Sequence, residues 1–397
     1  MINLSRRINQ MTESETLAMT RKSRELKAQG HDVINLSLGE PDFFTPDNIK
    51  NAAKKSIDDN FTFYTPVNGY NELRQAIVKK LKRDNNLDYN AEEIVVSTGA
   101  KQAIMNALLC LVDPGDEVVI PTPYWVSYNH MVSLAEGKHV FIEAGIENDF
   151  KITAQQLEQA ITPKTKVFIF SSPCNPTGSV YSREELESLA KVFEKNPHIF
   201  IISDEIYELI NFNKNHESIA QFASIKDRVI LVNGVSKGFA MTGWRLGYLA
   251  SHIDIAKAAT KLQGQFTSAT CSIGQKAAEE AMHTLPEETY GMLDKFRERR
   301  DMVLELMNDI PGIKTNLPQG AFYIFPDVSS YYGKRNGDYI INNSSDFCMY
   351  ILNKVYVALV PGDAFGSPAC VRLSYATSNE LLKEAIKRIK TALSELK

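Results

Sequence analysis

Short runs of β-branched and aromatic residues recur along the first two thirds of the chain, at 94–96 (IVV), 118–120 (VVI), 139–142 (HVFI), 167–170 (VFIF), 199–202 (IFII), 229–232 (VILV) and 246–249 (LGYL). Runs this short without polar alternation suit strands buried on both faces, and the longer helical patterns between them supply the covers. The pattern predicts an α/β fold around a mostly parallel, seven-stranded sheet. Helix starts agree with it. Ser182 and Glu185 have the spacing of a capping box ahead of Leu186 and Leu189, and Pro46 follows Thr45 where a helix begins. Past residue 285 the pattern changes to a charged amphipathic stretch (287–307), shorter strand-like pieces (321–325, 355–359, 371–374) and a final helix over 379–395. The expected organisation is an N-terminal arm (1–45) contributing to a small domain, a large domain (46–285), and a small α+β C-terminal domain (286–397).

Composition narrows the classes. A chain of 397 residues with 44% apolar content can bury a large core. The net charge of −4 is spread without like-charge blocks, which leaves no electrostatic footprint for nucleic acid. The five cysteines are dispersed and odd in number, as in a reducing compartment. No apolar stretch follows Arg6 and Arg7, and the longest apolar runs are strand-sized, so neither a signal peptide nor a membrane span is expected. The expectation is a cytoplasmic protein without a metal.

Ligands of open α/β sheets collect at the carboxyl ends of strands, so the residues after each run carry the candidate chemistry. Ser97-Thr-Gly99-Ala100-Lys101 leads into a helical pattern, a turn whose backbone N–H groups suit a phosphate. The run at 118–120 leads to Trp125, a ring able to stack on a planar ligand. Asn175-Pro-Thr-Gly178 is a tight turn bearing one amide. Asp204 ends an apolar strand, where a carboxylate needs a cation or several donors, unless it caps the next helix.

The last of these segments, residues 233–245 (NGVSKGFAMTGWR), holds two rival nucleophiles. Gly234-Val-Ser236-Lys-Gly238 fits the elbow of serine hydrolases, but that chemistry needs an acid and then a histidine later in the chain. Here only His252 and His283 follow. Lys237 fits better. An amine that condenses with a planar aldehyde cofactor needs a stacking ring, a phosphate anchor and an acid for the ring nitrogen, and Trp125, the 97–101 turn with Arg245, and Asp204 are placed for those jobs.

The segment around Lys237, together with Asn175-Pro-Thr-Gly178, Asp204-x-x-Tyr207, Pro123-Tyr-Trp125 and Val371-Arg372-Leu-Ser374, resembles the class I/II aminotransferases of pyridoxal 5′-phosphate fold type I. The likeness runs from Gly39 in INLSLGEPD (34–42) to the last helix. It implies that Lys237 binds the cofactor and shuttles the proton, and that Asp204 pairs with the pyridinium. Tyr207 and Asn175 would donate to the phenolic oxygen, and Trp125 would stack on the ring. The resemblance gives the phosphate to Arg245, Gly99, Ala100 and Ser236, with Tyr64 reaching the phosphate of a neighbouring subunit, so a homodimer with shared sites is implied. Arg372 would grip the substrate α-carboxylate, helped by Gly39 and Asn175, with Phe365 at the pocket wall.

Among such enzymes, one branch reads a distal carboxylate with an arginine from the neighbouring subunit, and no arginine lies between Arg245 and Arg297 here. A bacterial-type aspartate branch uses a lysine after the phosphate turn with N-terminal hydroxyls, and Lys101, Ser14 and Thr16 match it. The resemblance thus implies transfer of the amino group of aspartate or glutamate to a 2-oxo acid such as 2-oxoglutarate, with prephenate as a secondary substrate. Other amino-acid specificities, a C–S β-lyase and an aminotransferase-like regulatory sensor remain as alternatives.

Overall fold

The computed structural model describes residues 2, 4–9, 11, 15–213 and 215–397. Each of the seven apolar runs forms a strand of one sheet. Across it the order is Ile94–Ser97, Gly247–Ala250, Val229–Gly234, Phe200–Asp204, Thr165–Ser171, Glu117–Thr122 and Lys138–Glu143. All pairings are parallel except those of Gly247–Ala250, which runs antiparallel to both neighbours. Alternate residues of these strands enter two cores, one on each face. Val96, Phe168, Ile201 and Leu231 pack on one side, and Val95, Ile169, Ile202 and Val232 on the other. Double-sided burial is the reason the runs are continuously apolar.

The helix signals hold. Ser182 Oγ accepts from the Glu185 N–H while Glu185 accepts from the Ser182 N–H, starting the helix Arg183–Lys195. Pro46 sits at the N-cap of Asp47–Asp58. The stretch expected over 287–307 is a helix over Tyr290–Asn308, entered through the short 3-10 turn Pro286–Thr289.

A third core gathers the C-terminal third. There Val371–Ser374 pairs antiparallel with Val360–Pro361 and with Tyr323–Ile324. The N-terminal segment joins it: Ile34–Asn35 pairs in parallel with Val357–Ala358, and Met19, Val33 and Leu36 are buried among its side chains. None of the five cysteines, all among the described residues, is in a disulfide. Among the described residues no helix is long and apolar enough to cross a membrane.

Behind the sheet's carboxyl end, the segment 204–208 sends its side chains two ways, Asp204 and Tyr207 lining the cavity side. Glu205 and Glu208 point away from Asp204 into a buried network. Glu205 accepts from Ser203, Ser218 and His216, and Glu208 from Lys80 and Asn85. Buried carboxylates are tolerated only when so satisfied, and this network pins the loop that carries Asp204 and Tyr207.

Candidate active site

At the carboxyl end of the parallel strands a cavity of about 320 Å³ opens between the sheet and the C-terminal core. Ala100 and Lys101, at the end of the turn that starts at Ser97, line one side of it. Gly99 caps the helix Ala100–Leu111 with φ +85°, and a Cβ there would lie 2.4 Å from Arg245 Nη2. Only glycine lets that guanidinium cross the turn. Arg245 is itself left-handed, at φ 55°, and Nη1 is held by the Thr242 carbonyl at 2.8 Å. Ala100, Lys101, Ser236 and Arg245 line the cavity beside the helix N-terminus. Helix dipole, guanidinium and ammonium converge, which is the composition of an anion site.

Lys237 lines the same cavity, and its Nζ donates to the Gly39 carbonyl at 2.6 Å. Burial, reinforced by Arg372 and Arg245, pushes its pKa down to about 8, against the opposing pull of Glu40 and Asp204. The chain after Gly234 makes turns and then a 3-10 turn, Thr242–Trp244, so Ser236 does not stand on the strand-to-helix elbow of a hydrolase. Asp204 is 4% exposed. Burial pushes its pKa up to about 6 even though Tyr128 Oη donates to it at 2.7 Å and the Ile206 N–H at 3.3 Å. Turns follow it, so it starts no helix. Trp125 lines the cavity half-buried, edge-on to Tyr128 at 5.5 Å, and the Lys101 ammonium lies 4.9 Å from its ring centroid. Lys101 is exposed at the mouth, and the protein packed on one side of it, with Arg245, lowers its pKa.

The opposite wall belongs to the small core. Arg372 is 2% exposed and is held by Asn175 Oδ1 at 3.0 Å and the Ser37 carbonyl at 2.7 Å. Its buried Nε has no hydrogen-bond partner among the described residues. Because Arg372 can only donate, Asn175 must accept through its oxygen, which leaves the Asn175 amide nitrogen as donor. Tyr207 Oη lies 2.8 Å from Tyr323 Oη. Gly39 is required here too, since a Cβ would stand 2.7 Å from Tyr323 Oη.

The fold therefore brings together Gly39, Ala100, Lys101, Trp125, Asn175, Asp204, Tyr207, Ser236, Lys237, Arg245 and Arg372, with Gly99 directly beneath Arg245. Phe365 does not join them at the wall. It is fully buried, 5.0 Å behind the Arg372 guanidinium, because the turn Gly362–Phe365 faces inward onto Phe325. Tyr64 lies elsewhere, 99% exposed, bordering a second cavity with Thr270 and Cys271. Ser14 and the Thr16 side chain lie outside the described residues. Sequence reasoning missed Tyr128, Tyr323 and Leu17, all at or against the cavity.

Comparison with known proteins follows the geometry. The family described as aminotransferase class I and II matches residues 31–389. A probable aspartate/prephenate aminotransferase of Rickettsia bellii is 48% identical over 396 residues, spanning 99% of each chain. The aspartate/prephenate aminotransferase of Nitrosomonas europaea is 47% identical over 397 residues, spanning 99% of this chain and 100% of that one. Among solved structures, the aspartate aminotransferase from Rhizobium meliloti superposes with a TM-score of 0.97 at 41% identity, over 100% of both chains. With a cavity that joins an amine, a carboxylate and two guanidinium groups, and with relatives matching along its full length, this chain belongs to the aminotransferase class I and II family.

Proposed function

We propose that this enzyme moves the amino group of aspartate or glutamate to a 2-oxo acid such as 2-oxoglutarate in a ping-pong cycle, with prephenate as a further substrate. The supporting observation is the convergence of Lys237, Asp204 and Arg372 on one cavity with Lys101 at its mouth. Four cations face one buried acid there, a balance suited to a phosphate and a dicarboxylate together.

The family implies pyridoxal 5′-phosphate, which when bound supplies an aldehyde and a ring that accepts electrons from the substrate Cα. The residues fit that group, because the Gly99 cradle admits Arg245 and, among the described residues, no cation is bonded to the buried Asp204. Arg245, Ser236 and the backbone at Gly99 and Ala100 would hold the phosphate. Trp125 would stack on the ring, and Asp204 would hold a proton on the ring nitrogen. Tyr207 and Asn175 would donate to the phenolic oxygen.

Lys237, with its pKa near 8, keeps a useful fraction of free amine at neutral pH and carries the proton to and from the substrate Cα. Arg372 orients the substrate by its α-carboxylate, assisted by Asn175 and the backbone of Gly39, and Phe365 supports Arg372 from behind. Lys101, with Ser14 and Thr16 from the arm, would read the distal carboxylate. The same reading divides the chain into an arm (1–45), a large domain (46–285) and a small domain (286–397). It also makes the enzyme a cytoplasmic homodimer in which the exposed Tyr64 completes the partner's phosphate site.

An amino-donor screen against 2-oxoglutarate tests this reading. Aspartate and glutamate are the expected preferred donors. Release of pyruvate and ammonia from cystathionine, without amino transfer, would make the chain a β-lyase instead.

A further inference from the structure

The strand Tyr323–Ile324 pairs antiparallel with Val371–Ser374, and Tyr323 stands opposite Ser374. Side chains two apart on a strand share a face, so this register puts Tyr323 on the face of Arg372, diagonally across the pair. The Tyr323 ring consequently lies 4.5 Å from the Arg372 guanidinium carbon, on a cation–π contact. Its hydroxyl reaches the other way, to Tyr207 Oη at 2.8 Å, on the loop after the strand Phe200–Asp204. One fully buried side chain thus touches both the arginine of the strand Val371–Ser374 and the cavity-facing tyrosine on the loop after the strand Phe200–Asp204. The arm is shaped around the same hydroxyl, because any side chain at Gly39 would collide with it.

Each tyrosine hydroxyl has one proton to give. Where Tyr207 directs its proton to an oxygen in the cavity, the Tyr207 oxygen is the acceptor in the pair and Tyr323 is the donor. A hydroxyl that accepts is polarised into a stronger donor. We infer that Tyr323 is a positioning residue whose hydroxyl aims the Tyr207 proton into the cavity while its ring holds Arg372, coupling substrate-carboxylate binding to the cofactor end of the site. This rests on the reading that Tyr207 donates to the phenolic oxygen of the cofactor.

The test compares the protein loaded with pyridoxal 5′-phosphate as wild type, Tyr323→Phe, Tyr323→Leu and Tyr207→Phe. It reads the pH midpoint of the bound cofactor's visible absorbance and the KM for aspartate. Tyr323→Phe keeps the ring and loses the hydroxyl. Its midpoint is expected to rise by about half to one unit, with KM within about twofold of wild type, as for the loss of one hydrogen bond. Tyr323→Leu should shift the midpoint equally and raise KM by about tenfold as the ring contact goes. An unmoved midpoint in Tyr323→Phe, with a raised one in Tyr207→Phe, overturns the role of the Tyr323 hydroxyl alone. Unmoved midpoints in both overturn the underlying placement of Tyr207, and the inference with it.

Discussion

The Tyr128 hydroxyl donates to Asp204 Oδ2 at 2.7 Å, inside a site where Asp204 is otherwise raised by burial. The hydrogen bond favours the carboxylate and burial favours the acid; burial wins, and the pKa stands at about 6. An ionised Asp204 therefore predominates above that value. Tyr128→Phe removes the donor and should move the acid limb of the pH–rate profile upward by about half to one unit, with the plateau at higher pH retained.

Asp204→Ala should leave part of the cofactor bound through the phosphate anchor while slowing turnover by on the order of a hundredfold or more, the size expected when a positioned acid is removed. Single-turnover rates with aspartate and the absorbance of retained cofactor separate the two effects. Wild-type turnover would reduce Asp204 to the acceptor of the Tyr128 hydroxyl and the Ile206 N–H.

Lys237→Ala should abolish transamination and the visible absorbance of the bound cofactor together. The cofactor-free protein offers a second readout. Lys237 is lowered from 10.5 to about 8, chiefly by burial. Its charged form thus costs stability in full below pH 8, and the cost fades as pH rises toward 10.5. Lys237→Met should stabilise the cofactor-free protein at pH 7 by on the order of 2 kcal/mol, the lost bond to Gly39 being set against the relief. Denaturant midpoints across this pH range should show that advantage vanishing as the wild-type lysine becomes neutral in both states.

Lys101 stands at the mouth, in the first turn of Ala100–Leu111, where the helix dipole disfavours a cation and makes an anionic partner worth more. Lys101→Ser should cost about 1.5 to 3 kcal/mol in kcat/KM for aspartate and glutamate, as for a hydrogen bond to a charged group. Alanine and phenylalanine should change little. Equal losses on alanine and aspartate would move Lys101 from substrate recognition to the phosphate site.

Gly99→Ala places a methyl 2.4 Å from Arg245 Nη2 and forces a side chain into φ +85°. The guanidinium must leave the turn, and cofactor affinity should fall by about tenfold or more while the fold persists, a loss on the scale of one charged contact. Equilibrium dialysis of pyridoxal 5′-phosphate and a melting curve of the cofactor-free variant check the two halves.

The apolar runs already determined the seven strands, because a strand buried on both faces must be apolar throughout, wherever its neighbours lie. The residues just after those runs, Gly99, Trp125, Asn175, Asp204 and Lys237, were legible as site candidates for a related reason: parallel strands deliver their carboxyl ends to one rim. The sequence could not say that Gly247–Ala250 inserts between Ile94–Ser97 and Val229–Gly234, antiparallel to both, since apolar pattern carries no direction. Nor could it find Tyr128 or Tyr323. Tyr128 meets Asp204 across 76 residues and Tyr323 meets Tyr207 across 116, and each reads locally as one more aromatic of a core. Phe365 shows the converse: its neighbourhood suggested the pocket wall, and only the inward turn onto Phe325 put Arg372 between it and the cavity. Which side of a buried ring faces a ligand depends on the register and packing of distant strands, and those are fixed only when the tertiary structure forms.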